Sequence, residues 1–493
     1  MSPTRFLLHA LAVSLGCLLA ACSSPQLPKK YAVSNQLPRI YPDYVGVTIP
    51  VNVAPLNFEL LMGADNAIIR YAAHDSEILC EGLKARPDID EWHRLAAEVQ
   101  GGDITVDVYA EKDGQWTRFK PFHLTVSPDS IDPWMSYRMI SPSYVSYEEL
   151  TLNQRCLESF EERVFVDNML CSTEAGGQCV NCHSFQQYNP RRMQFHARQS
   201  HGGTVIAYDG KLSKVDLAAT YPAWHPWLRL IAYSTNKTMQ SFHTAHLNKI
   251  EVQDTESDLT VYDIDQNRAY TIESLPDELE TFPTWSPDGR WLYFCSAHFK
   301  YQAGHADAEE VILRAKELKY NIYRKPFNPD NLQFGPRELV FAADSLGMSA
   351  TLPRISPDGR WLLFTMGEWG CFHIWHHDAD LWLIDLANQP LGSARQWEAV
   401  NSPDTESYHC WSSNGRWVVV SSRRYDGVFT RPFFAHVGTD GQASKPFELP
   451  TSDPDRHRQL LKSYNVPELM RGPVEFTPQQ AAATLKTVGT KVH

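Results

Sequence analysis

Along residues 41–126 apolar and polar positions alternate in short runs. Val45-Gly46-Val47-Thr48-Ile49-Pro50-Val51-Asn52-Val53, Ile104-Thr105-Val106-Asp107-Val108-Tyr109 and Phe122-His123-Leu124-Thr125-Val126 carry a period of two, which puts successive side chains on opposite faces of a strand. A helical pattern over residues 89–100 interrupts them. Short strands separated by polar turns predict a β-sandwich-like domain over residues 39–130. Residues 146–170 carry Glu148, Glu149, Glu158, Glu161 and Glu162 and predict helix. Residues 131–200 as a whole therefore read as a helical linker.

Beyond residue 200 one pattern recurs. Pro283-Thr284-Trp285-Ser286-Pro287-Asp288-Gly289-Arg290-Trp291 is followed by Pro353-Arg354-Ile355-Ser356-Pro357-Asp358-Gly359-Arg360-Trp361. Tyr408-His409-Cys410-Trp411-Ser412-Ser413-Asn414-Gly415-Arg416-Trp417 repeats it with Asn for Asp, and Pro222-Ala223-Trp224-His225-Pro226 is a degraded copy. Each unit is a strand, a tight turn and a second strand: Pro fixes φ, Asp or Asn bonds nearby backbone, and Gly takes positive φ. The repeat resembles that of TolB-type, WD40-like β-propellers. The resemblance implies a mainly β chain with a five- or six-bladed TolB-like propeller over residues 201–450 and a tail over 451–493. A long β-solenoid is the alternative.

Composition narrows the class. The chain has 493 residues, with 45 Lys+Arg against 58 Asp+Glu and a net charge of -13. No basic run offsets that balance, so nucleic-acid binding is excluded. No nucleophile elbow, phosphate-binding glycine loop or His-Glu-x-x-His helix occurs.

Arg5 precedes an apolar stretch from Phe6 to Ala21, too short to span a bilayer comfortably and placed where a signal peptide belongs. It ends Leu19-Ala20-Ala21-Cys22, which resembles the lipobox of bacterial lipoproteins. This implies a signal peptide over 1–21, lipidation of Cys22, a tether over 22–38 and an outer-membrane position. The lipid is the expected anchor, and the periplasmic face is favoured. An exported chain meets an oxidising compartment, and Cys80, Cys156, Cys171, Cys295, Cys371 and Cys410 could pair or stay as buried thiols.

Cys179-Val180-Asn181-Cys182-His183 is the sharpest chemical signal. Two cysteines three apart can form thioethers to a haem, and the adjacent His can ligate iron, so one covalent haem c per chain is expected at Cys179, Cys182 and His183. A disulfide with an incidental His, a redox-active CxxC and a zinc site are the alternatives. Met193 and His196 are the candidates for the sixth iron ligand. His373, His376, His377, Asp378 and Asp380, with His225, His243, His246, His298, His305 and His409, are a second possible metal group.

Tyr44-Val45-Gly46-Val47-Thr48-Ile49-Pro50, the CxxCH followed by Ser184-Phe185, His376-His377-Asp378-Ala379-Asp380, Arg423-Arg424-Tyr425-Asp426-Gly427 and Ser463-Tyr464-Asn465-Val466-Pro467 resemble a family of Bacteroidetes-type envelope lipoproteins. That family joins a TolB-like propeller to a single CxxCH. The resemblance implies that architecture and a bound haem, and no particular reaction. A lipid-anchored c-type cytochrome that relays single electrons and docks an unidentified redox partner is the expected function. A binding or scaffold lipoprotein and a haem peroxidase or reductase are the other readings.

Overall fold

The computed structural model describes residues 25–142, 147–173, 176–242, 250–387 and 393–493. Cys22 and its signal sequence, and His243 and His246, lie outside the described residues. No helix among the described residues is long and apolar enough to cross a membrane.

The alternating runs of the N-terminal region form strands, as expected. Asn66–Ala73, Ser76–Glu81, Asp103–Lys112, Gln115–Arg118 and Phe122–Ser127 belong to one seven-stranded sheet, and a three-stranded sheet lies beside it. The helix Ile89–Glu98 is capped by Asp88, whose carboxylate accepts from the amides of Asp90 and Glu91. It buries Trp92, whose Nε1 donates to the Val53 carbonyl at 2.9 Å. Part of the expected tether is structured: Ala32–Val33 pairs in parallel with Thr117 and Arg118.

The remaining chain builds six further sheets among the described residues. Their innermost strands are β1 (Val180–Phe185), β2 (Thr220–Trp224), β3 (Glu278–Trp285), β4 (Ser349–Ile355), β5 (Glu406–Trp411) and β6 (Ser463–Met470). Each touches the next, and β6 touches β1, so the inner strands close into a ring. Radial sheets around such a ring are a β-propeller. The ring is closed by both ends of the repeat region, because β6 pairs with Trp134–Ile140 to complete the sheet containing Thr151–Cys156 and Glu162–Asp167.

Three expectations need correction. The described part of residues 131–200 holds five strands and one short α-helix, Asn168–Cys171, so the CxxCH lies inside the propeller and not on a helical linker before it. The acids that read as a helix sit in turns and on Glu162–Asp167, the outermost strand of its sheet, where charge blunts an exposed edge. Residues 451–493 are not a tail: they supply β6, the helix Pro478–Leu485 with its Thr477–Gln480 capping box, and Thr490–Lys491, which pairs with Val215 and Asp216.

The repeated turns work as their residues dictate. Ser286 and Ser356 Oγ accept from the amides of Trp291 and Trp361 at 3.0 and 2.9 Å, and Asp288 and Asp358 accept from Arg290 and Arg360 at 3.1 and 3.0 Å. Asn414 replaces Asp without loss, accepting from Arg416 N at 3.0 Å. In the degraded copy His225 takes the serine's place, its Nδ1 accepting from Leu228 N at 3.0 Å while its Nε2 donates to the Gly289 carbonyl at 3.1 Å. Gly289 has φ +58°, and a Cβ there would stand 2.6 Å from His225 Nε2. Both facts demand glycine.

Candidate functional site in the propeller channel

All six inner strands share one irregularity. In each, two consecutive residues oppose a single residue of the neighbouring strand, and the first of the two has positive φ: Cys182 (54°), Tyr221 (48°), Phe282 (52°), Leu352 (55°), Tyr408 (44°) and Val466 (50°). These are β-bulges repeated around the ring. The second bulge residue is proline in four strands, Pro222, Pro283, Pro353 and Pro467, and histidine in two, His183 and His409. The Cys182-His183 half of the CxxCH is therefore the bulge of β1. Proline suits this place because it fixes φ and donates no ladder hydrogen bond. An imidazole there can do more.

His409 shows the structural use of that imidazole: its Nε2 bonds the Leu363 carbonyl at 3.0 Å. His183 differs. It is 2% exposed, and neither ring nitrogen has a well-formed hydrogen bond. Burial, reinforced by the Arg138 guanidinium and less by that of Arg354, lowers its pKa to about 3, while a backbone interaction with Val466 pulls the other way. The ring is a neutral base with its lone pair uncommitted. It lines a cavity of about 50 Å³ at the channel waist, walled by Tyr221, Phe282, Leu352, Tyr408 and Val466. That volume suits a few waters.

Cys182 is buried, and burial raises its thiol pKa, with the Arg198 guanidinium pulling the other way. Cys179 is half-buried at the start of the motif, and Arg198, exposed to solvent, lies close enough to both cysteines to feel their charge. Arg198 was not singled out by sequence reasoning. Only its place one residue beyond the strand Arg192–Ala197, paired to β1, marks it.

Met193 and His196 lie on that same neighbouring strand, but the structure does not gather them at His183. Met193 is fully buried in an apolar cluster with Val180, Phe195 and Val205. His196 faces Thr204, whose Oγ1 is 3.2 Å from its Nδ1, and burial lowers its pKa to about 4.

The propeller histidines do not assemble a second metal centre: among the described residues no group of three or more His, Cys, Asp or Glu could hold one. Each has local work instead. His373 bonds Thr351 Oγ1 at 2.9 Å and the Trp369 carbonyl at 3.1 Å, and His376 Nε2 meets Glu251 at 2.9 Å. His377 pairs with Asp404 at 2.8 Å. His298 meets Glu278, and His305 the Ala303 carbonyl. The His376–Glu251 contact joins the 368–378 loop to the long hairpin of Leu230–Phe242 and Ile250–Asp263. The eight cysteines of the described residues are free thiols.

No family model matches the chain, and no curated protein matches it. Among solved structures, it is similar to TolB from Acinetobacter baumannii, at 12% identity over 77% of this chain and 85% of that one, with a TM-score of 0.43. It is also similar to prolyl oligopeptidase B from Galerina marginata, at 10% identity over 80% and 54% with a TM-score of 0.36. A DUF4784 family protein from Bacteroides caccae aligns at 7% identity over 84% and 97% with a TM-score of 0.32.

Proposed function

We propose that this chain is a six-bladed propeller that carries one c-type haem on Cys179 and Cys182 and relays single electrons, held to the outer membrane by a lipid on Cys22 and facing the periplasm. The observation that carries the reading is His183: a neutral imidazole, almost wholly buried, with no well-formed hydrogen bond at either nitrogen, beside two cysteines at thioether spacing. An unpaired buried polar group costs about 1–3 kcal/mol, so an uncommitted histidine in this place supports a missing partner. The six inner strands in one closed cycle support the blade count.

The donor types and their spacing match those that hold a c-type haem. Cys179 and Cys182 would hold its vinyl carbons, His183 its iron, and Arg198 a propionate. The waist cavity of about 50 Å³ is far smaller than a porphyrin, so the waist by itself does not enclose one, and Cys179 is the accessible end of the motif. A haem bound there supplies one-electron Fe(III)/Fe(II) exchange. The chain's own contribution is to keep His183 neutral through burial and two nearby guanidinium groups. The acidic chain, at net charge -13, favours a basic partner.

His183→Ala tests the ligand role in full-length protein made in a cytochrome c maturation host. The variant is expected to keep its covalent pigment through the two cysteines while its oxidised and reduced visible spectra change. Spectra identical to wild type would remove His183 from the iron. The second reading, a binding propeller without haem, is supported by the ring alone. It predicts a colourless protein.

A further inference from the structure

On the other side of the waist the channel widens into a cavity of about 120 Å³. Arg354 lines both spaces and is the one cation along them among the described residues. One Nη donates to Glu468 at 2.7 Å, and the other oxygen of Glu468 accepts from Cys410 Sγ at 3.5 Å. The arginine side chain is still 35% accessible. Two further side chains of this cavity hold buried polar atoms without partners, Trp285 Nε1 and Ser184 Oγ. Arginine and tryptophan can only donate hydrogen bonds, and serine can donate. The two unpartnered donors, together with the guanidinium N–H groups that Glu468 does not take, among walls such as Trp411, call for an acceptor-only group on an apolar body.

We propose that the channel mouth is a binding site for the carboxylate of a small, partly apolar organic acid. A carboxylate takes two hydrogen bonds from a guanidinium fork and can accept from Trp285 and Ser184. Glu468 pins the guanidinium and holds the local charge near zero, which favours a singly charged ligand over a doubly charged phosphate. The site shares Arg354 with the wall of the His183 cavity, but the proposal does not depend on the haem reading.

Calorimetry on the full chain, with tryptophan fluorescence as a second readout, tests this with phenylacetate. Benzyl alcohol removes the charge, inorganic phosphate raises it, and an acetylated tripeptide ending in a free phenylalanine carboxylate separates a chain end from a free acid. Phenylacetate or the tripeptide is expected to bind at least tenfold more tightly than benzyl alcohol or phosphate. Arg354→Met/Glu468→Met, which removes both charges and strands neither, is expected to abolish the preference, and Trp285→Phe to weaken it several-fold. Equal binding of the acid and the alcohol, tighter binding of phosphate, no binding of either carboxylate, or a preference intact in the double variant would overturn the proposal.

Discussion

Arg431→Met is expected to cost roughly 3–5 kcal/mol of unfolding free energy. Arg431 is 4% exposed, and its guanidinium donates to four backbone carbonyls: Thr430 at 3.2 Å, Lys462 at 2.7 Å, and His457 and Leu460 at 2.8 Å. Three of those carbonyls belong to the segment that delivers β6, the strand that closes the ring. Methionine fills much of the volume but leaves the carbonyls buried without a donor. Arg431→Lys keeps the charge but not the fork, and should recover only part of the loss. Urea unfolding of the three proteins measures this. A loss under about 0.5 kcal/mol, the range of an ordinary surface change, would mean that closure does not depend on this hub.

Stability should peak near pH 6.5 and fall on both sides, through two separate sets of groups. On the acid side the buried imidazoles act. His373 and His409 have pKa values lowered to about 3, and His196 and His225 to about 4, all chiefly by burial. The unfolded chain binds protons at these groups below about pH 6.5 while the folded chain does not, so stability declines as pH falls. On the alkaline side the buried acids act. Burial raises Glu280 to about 8 and Asp254 to about 7. Between their unfolded and folded values the native state holds the extra proton, so stability is lost as pH rises toward about 8. The alkaline loss is on the order of a few kcal/mol. Glu280→Gln/Asp254→Asn should flatten the alkaline arm and steepen the acid arm, because between about pH 4.5 and 7 the two acids oppose the histidines. Thermal melts from about pH 5 to 8.5 read both arms. An alkaline arm unchanged in the double variant would assign it to other groups.

Much of the fold was legible. The period-two runs and the Ser-Pro-Asp-Gly turns carry their own physics, so the strands Asp103–Lys112 and Phe122–Ser127 and the propeller repeat could be read directly. The helix over 89–98 also followed from its apolar spacing. The extent of the propeller was missed because its first and last inner strands lack the Ser-Pro-Asp-Gly turn. Val466-Pro467-Glu468-Leu469 and Cys182-His183-Ser184-Phe185 match Tyr408-His409-Cys410-Trp411 only once the bulge is taken as the unit of repetition. The bulge is a backbone feature, and five of its six first residues are large and apolar, an unusual choice for positive φ. Closure by β6 is a contact between positions more than three hundred residues apart, which no local pattern records.

The candidate site was half legible. Spacing singled out Cys179, Cys182 and His183, but the position of Cys182 and His183 in the channel waist needed the ring. Arg354 and Trp285 stood within the recognised repeat as turn and strand residues, and only convergence from separate sheets gives them a common cavity. Met193 and His196 followed from nearness in sequence alone. Pairing along β1 sends one into an apolar cluster and the other toward Thr204.

The central claim is the covalent haem, and haem retention on denatured protein tests it most directly. The full-length chain and Cys179→Ala/Cys182→Ala would be produced in a maturation-competent host, extracted with acid acetone and assayed as the pyridine haemochrome. One haem retained per wild-type chain and none in the double variant is the result expected. A wild-type chain that retains no haem, from a host that matures a control cytochrome normally, would contradict the account and leave a propeller whose channel cysteines serve another purpose.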